Sequence, residues 1–106
     1  MSLSSAHVTE AVAAAAEKSP EWRAAGATVR LVLTDLDTEV TLDAEGRPTT
    51  EEPAQVLRVS WSDLRDLTAG RRSFLRTVTS KRLSARGPVM QTFAVGQALA
   101  TLSLDH

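Results

Sequence analysis

At 106 residues, 42% apolar and 24% charged, the chain has material for one domain with one hydrophobic core (residues 1–106) and none for a second. With no cysteine, disulfides, thiolate metal sites and cysteine nucleophiles are excluded. The net charge of −1 gives no global attraction to nucleic acid or to an anionic membrane.

The first 20 residues read as a helix, with Val8, Ala11, Val12, Ala15 and Ala16 at i, i+3, i+4 spacing. Its alanine run, Ala13 to Ala16, is bracketed by Glu10, Glu17 and Lys18 and has no basic n-region, so no signal peptide is expected. No stretch approaches the ~20 apolar residues that span a bilayer, and the expected compartment is the cytoplasm. Pro20 ends this helix near Ser19. Residues 20–25 suit a further turn of helix stopped by Gly26, with Trp22 in or over the core.

Two alternating segments follow. Val29 to Leu33 presents Val29, Leu31 and Leu33 on one face, and Glu39 to Leu42 presents Val40 and Leu42. Asp35-Leu36-Asp37 is the turn between them, which predicts an antiparallel hairpin. Residues 43–53 carry Gly46, Pro48 and Pro53 and read as a loop, the longest break in the pattern and the expected flexible region. A third strand runs from Gln55 to Val59, with Leu57 and Val59 on one face.

Ser60-Trp61-Ser62-Asp63 fits a capping box with Asp in the last place. It opens a helix whose Trp61, Leu64 and Leu67 share a face and whose end is marked by Gly70. Phe74, Leu75 and Val78 continue the apolar surface on a second short helix. Lys81 to Arg86 alternates as the last strand, with Leu83 and Ala85 inward. Gly87-Pro88 opens the final helix, with Pro88 suited to its first position. Met90, Phe93, Ala94, Gln97, Ala98 and Thr101 form one face of it, and apolar coverage wide enough for burial on more than one side includes Val95, Leu99 and Leu102. The order predicts an α+β fold, a mostly antiparallel sheet with helices on one face.

Charge is segregated along the chain. Asp35 to Glu52 holds seven acids against Arg47 alone, whereas Arg71 to Arg86 holds six bases and no acid. Such asymmetry either makes two solvated surfaces or a field for an anionic partner. Nucleic acid is not the expected partner, because Phe74 is the one aromatic among those bases and its spacing suits the core. His7 and His106 lie at the chain ends and suit neither catalysis nor metal binding. Asp35 and Asp37 fit Asx-turn chemistry better than a metal site. The serines Ser60, Ser62, Ser73 and Ser80 lack a histidine partner for a hydrolase triad. Gly70-Arg71-Arg72-Ser73 lacks the glycines and lysine of a phosphate loop. No enzyme activity, cofactor or metal is expected.

Trp61, Leu64, Leu67, Phe74, Leu75, Val78, Met90 and Phe93 support two readings, an ordinary core or the wall of a ligand cavity between helices and sheet. A resemblance bears on that choice. Ser60-Trp61-Ser62-Asp63-Leu64-Arg65-Asp66-Leu67-Thr68-Ala69-Gly70 resembles the S-x-x-D-x-x-x-L-x-x-G helix of sterol carrier protein 2 domains, with its Leu one place early. Lys81-Arg82-Leu83-Ser84-Ala85-Arg86-Gly87 is similar to that family's basic strand ending in K-x-x-x-x-G-D, with Pro88 in place of the Asp. The resemblance covers Val56 to Leu102, and the order of elements carries most of it.

It implies a twisted, mostly antiparallel sheet of about four to five strands under helices, with an apolar tunnel that binds a lipid, fatty acyl or sterol-like ligand. Trp61, Leu64, Leu67, Phe74, Leu75, Val78, Met90, Phe93, Ala94 and Gln97 would line the tunnel. Arg71, Arg72 or Arg76 would meet the head group at its mouth. A transient membrane-surface contact fits such a carrier. The alternatives are a structural homodimerisation module without a small ligand and a weak binder of anionic partners through Arg71 to Arg86.

Overall fold

The computed structural model describes residues 5–102; His106 lies outside them. α1 (Ser5–Glu17) turns Val8, Val12, Ala15 and Ala16 into the core. Ser19 then caps α2 (Pro20–Ala25), its Oγ accepting from the Trp22 amide at 3.1 Å, and Gly26 ends the helix in the left-handed region. Trp22 is buried, and its indole N–H donates to the Asp43 carbonyl at 2.9 Å.

Four strands follow the predicted alternation: β1 (Val29–Leu33), β2 (Thr38–Leu42), β3 (Gln55–Val59) and β4 (Leu83–Arg86). Their order across the sheet is β2-β1-β3-β4. β1 pairs antiparallel with β2, but parallel with β3, from Val29 opposite Gln55 to Leu33 opposite Val59. β3 pairs antiparallel with β4. The sheet is therefore mixed rather than purely antiparallel, because the chain returns from β2 at the edge to enter β3 in the direction of β1. The returning loop is tied to its surroundings. Its Asp43 Oδ1 accepts from the Glu45 and Arg47 amides, and the Thr49 amide donates to the Thr41 carbonyl at 3.0 Å.

One sheet face is dry. Val29, Leu31, Leu33, Val40, Leu42, Leu57, Val59 and Leu83 are buried on it, under the helix layer. The other face carries two cross-strand rows, Thr41-Arg30-Val56-Arg86 and Glu39-Val32-Arg58-Ser84, all half-buried or exposed. Ala85 follows Leu83 on the helix side but is exposed on the edge strand, not inward as the alternation predicts.

α3 (Trp61–Thr68), α4 (Phe74–Thr79) and α5 (Val89–Ala100) complete the layer. Pro88 stands at the N-cap of α5, one place before the predicted first turn. α5 lies against α2, α3 and α4 and buries Val95, Gly96, Ala98 and Leu99. Gln55 hooks its start to the sheet: Nε2 donates to the Pro88 carbonyl at 3.0 Å, and Oε1 accepts from Thr92 Oγ1 at 2.8 Å. No helix of the described residues is long and apolar enough to cross a membrane.

Candidate ligand site

α3 is the best-anchored part of the helix layer. Ser60 Oγ accepts from the Asp63 amide at 2.9 Å, as the capping box predicts, and the Asp63 carboxylate takes the Ser60 hydroxyl, at 2.9 Å, in place of the Ser60 amide. Asp35 closes the same end from the β1–β2 turn, its Oδ1 accepting from the Trp61 amide at 2.7 Å. Asp35 is therefore a structural acceptor for an orphan amide.

The predicted apolar set divides in the fold. Trp61, Leu64 and Leu67 face the core from α3 and are buried. Phe74 and Val78 are half-buried at its margin. Leu75 is 58% exposed, Met90 82% and Phe93 51%; Gln97 is exposed and Ala94 half-buried. Leu75, Met90, Phe93 and Gln97, which the resemblance puts in a tunnel wall, are thus exposed side chains in this structure. α5 buries one arc, centred on Val95, Ala98 and Leu99, and its opposite arc of Val89, Met90, Phe93 and Gln97 faces out. Leu31 and Leu57 of the sheet, Leu64 and Leu67 of α3 and Leu99 of α5 are fully buried in the core.

The three predicted head-group arginines also separate. Arg71 Nε meets Asp66 Oδ1 at 2.9 Å. Arg72 joins Arg82 on a single oxygen, Asp63 Oδ1, at 3.2 and 3.3 Å. Arg76 is exposed and makes no ion pair among the described residues.

Arg71 shares a surface hollow of about 230 Å³ with Asp35, Trp61, Ser62, Arg65 and Asp66. Two hydrogen-bond donors of this lining, Trp61 Nε1 and Arg65 Nε, are buried and have no acceptor. Buried donors are normally satisfied, and leaving one unpaired costs about 1–3 kcal/mol. Both carboxylates of the hollow are already engaged, Asp35 by the Trp61 amide and Asp66 by Arg71. The Arg65 guanidinium has no carboxylate partner among the described residues. The hollow therefore suits an oxygen acceptor, and a negatively charged one best. Arg65 has no place in the sequence prediction, although its i+4 spacing from Trp61 sets the two side by side on α3.

Two other hollows are present. One, about 380 Å³, lies between α1, α2 and Thr101 and is walled by Ala11, Ala14, Ala15 and Pro20. The other, about 350 Å³, lies on the open sheet face among Val56, Arg58, Ser84, Ala85 and Arg86. Among the described residues, no three of His, Asp and Glu stand together as metal ligands.

No protein-family model matches the chain, and no curated protein matches it by sequence. Solved structures do share its fold. Sterol carrier protein 2 from Yarrowia lipolytica, in its apo form, is 17% identical with a TM-score of 0.64, over 95% of this chain and 93% of that one. The sterol carrier protein domain 2 of Helicoverpa armigera is 14% identical with a TM-score of 0.62, over 93% and 90%. The inverting sec-alkylsulfatase Pisa1 from Pseudomonas sp. also matches, at 14% identity and a TM-score of 0.62; there 87% of this chain corresponds to 16% of the enzyme. The chain has the sterol carrier protein 2 fold, as the resemblance between Val56 and Leu102 implies, and that fold occurs both alone and as part of an enzyme.

Proposed function

We propose that this protein is a non-enzymatic binding domain, working in the cytoplasm, for a lipid or other amphiphile with an acidic or oxygen-rich head, which it holds and hands on. The observation that carries this reading is the pair of unsatisfied donors, Trp61 Nε1 and Arg65 Nε, in one hollow beside Arg71. The likeness to whole sterol carrier proteins over nearly the full chain supports it. The head group would accept from those donors once the exposed Ser62 and Arg71 side chains turn aside. The tail would enter between α3 and α4, displacing the half-buried Phe74 and Val78. α4 suits that movement, since it has six residues of which Thr77 alone is fully buried. Each methylene transferred from water into that seam contributes about 0.8 kcal/mol.

The test is native mass spectrometry of the purified chain with organic extraction, followed by titration with fatty acids. In a Trp22→Phe variant Trp61 is the sole indole, so its emission reports on the hollow. A co-purified amphiphile, or a saturable change in Trp61 emission, is expected. Arg65→Gln should weaken the titration about tenfold, the equivalent of one charge-assisted hydrogen bond. An empty chain whose Trp61 emission ignores every fatty acid would sink the reading.

A further inference from the structure

The sheet face turned away from the helices carries a hollow of about 350 Å³, lined by Val56, Arg58, Ser84, Ala85 and Arg86. Val56 stands opposite Arg86, and Arg58 opposite Ser84. Alternate residues of a strand share a face, so Arg58 and Arg86 are diagonal neighbours across β3 and β4, about 7–8 Å apart at the backbone and within reach of long side chains. Both are exposed, and neither makes a hydrogen bond or an ion pair among the described residues. Arg30, on the other side of Val56 in the same row, differs. It donates to Thr41 Oγ1 at 3.1 Å and meets Glu39 at 3.9 Å. Glu39 is thereby engaged at the far edge of the sheet, on β2, with β1 and β3 between it and β4. The lining of the hollow contains two guanidinium groups and no acid. Two like charges on adjacent strands repel, and nothing in the lining offsets them.

We propose that Arg58, Arg86 and Ser84 form a second binding site, for the terminal phosphate dianion shared by inorganic phosphate and small phosphate monoesters. A guanidinium group binds an oxyanion through two parallel N–H···O bonds. A carboxylate has two oxygens and satisfies one such fork. A phosphate monoester has three terminal oxygens and a charge of about −1.5 to −2 near neutrality, and it serves both forks at once. The Ser84 hydroxyl, which has no partner among the described residues, stands opposite Arg58 to donate to the remaining oxygen. Half-buried Val56 gives an organic substituent an apolar wall. No aromatic side chain lines the hollow for a base to stack on, so nucleic acid is not the ligand this face favours. The site lies across the sheet from the helix layer and shares no residue with the hollow at the start of α3. It therefore does not depend on the function proposed above.

The experiment is titration of the full chain, followed by amide NMR, with glycerol 3-phosphate, with inorganic phosphate and with acetate. It is run at low salt and about two pH units above the second phosphate pKa of ~6, where the probes are dianions. Saturable shifts confined to residues 56–58 and 84–86 are expected with both phosphates, and binding about tenfold weaker with acetate. Tighter binding of glycerol 3-phosphate than of inorganic phosphate would mark an ester as the ligand, and the reverse a free phosphate; either supports the site. Arg58→Gln and Arg86→Gln should each weaken phosphate about tenfold. Both side chains are exposed, so an unchanged urea midpoint will show that the fold is intact. Arg76→Gln removes an equally exposed charge from α4 and should leave the affinity unchanged, as should Arg65→Gln, whatever happens to its fatty-acid titration. The proposal is overturned if neither phosphate shifts β3 and β4, or if acetate binds as tightly. It is also overturned if Arg76→Gln weakens binding as much as Arg58→Gln does, which would reduce the effect to general charge attraction.

Discussion

The ring of Phe74 in α4 lies on the backbone of Gly96 in α5, in the space a β-carbon at position 96 would need. This contact joins the short helix to the last one, and it explains a glycine in the middle of a helix, where alanine would be favoured by about 1 kcal/mol. Gly96→Ala should therefore destabilise, since forcing a methyl into filled space costs about 1–3 kcal/mol. The half-buried ring can yield outward, which sets the net loss near 1 kcal/mol. In a Phe74→Ala background the same substitution should become stabilising, because only the helix preference remains. Urea midpoints of the four proteins give the cycle, and additive effects would refute the contact.

Gln55 is fully buried at the start of β3 and acts across the sheet–helix boundary. It donates to the Pro88 carbonyl and to Gln91 Oε1, at 3.0 and 3.1 Å, and accepts from Thr92. Gln55→Leu keeps an apolar stem in the core and removes every side-chain bond. A cost of about 1–3 kcal/mol is expected, concentrated at the first turn of α5. Amide hydrogen exchange should rise there, at Val89 to Phe93, more than in β1. Uniform acceleration across the chain would contradict a local hook.

The legible parts of the chain are those whose signals are local. Ser60 and Asp63 announce the start of α3, and the alternation of Val29, Leu31 and Leu33 announces β1; both are found where the pattern puts them. The parallel pairing of β1 with β3 joins residues 26 apart, Val29 with Gln55, and no pattern within either strand records it. The outward arc of α5 misleads for a different reason. Met90 and Phe93 share the helical period of a buried stripe, and apolar identity alone does not tell which side the core lies on. The candidate hollow is half legible: Trp61 and Arg71 stand out, but the missing acceptors of Trp61 and Arg65 exist only once Asp35 and Asp66 have taken their other partners.

Gly46 makes the loop after β2 more than a connector. Its φ is +82°, and a β-carbon there would stand 2.5 Å from both the Ala16 carbonyl carbon and the Glu17 nitrogen of α1. Backbone atoms of a helix cannot move aside as a side chain would. Gly46→Ala should cost about 3 kcal/mol, from left-handed strain of about 1–2 kcal/mol and the collision. Gly70→Ala is the control, since φ is +76° there but nothing lies within 4 Å; only the strain applies. Chemical denaturation of the two variants side by side checks the difference, and equal losses would mean the loop does not rest on α1.

Asp63 ties the start of α3 to two arginines that follow it in the chain. Its carboxylate is 15% exposed and holds the Ser60 hydroxyl, Arg72 and Arg82 at 2.9 to 3.3 Å. Asp63→Asn keeps the shape and should cost about 1–2 kcal/mol, as charge-assisted bonds become neutral ones. Arg72, 29% exposed, should contribute more than Arg82, 51% exposed, because solvent screens the outer pair. The same substitution removes one negative charge and releases two guanidinium groups from it. The variant should thus be less stable in urea, and Arg72→Gln should cost more stability than Arg82→Gln. Equal losses for the two arginine variants would show that solvent screens the inner and the outer pair alike.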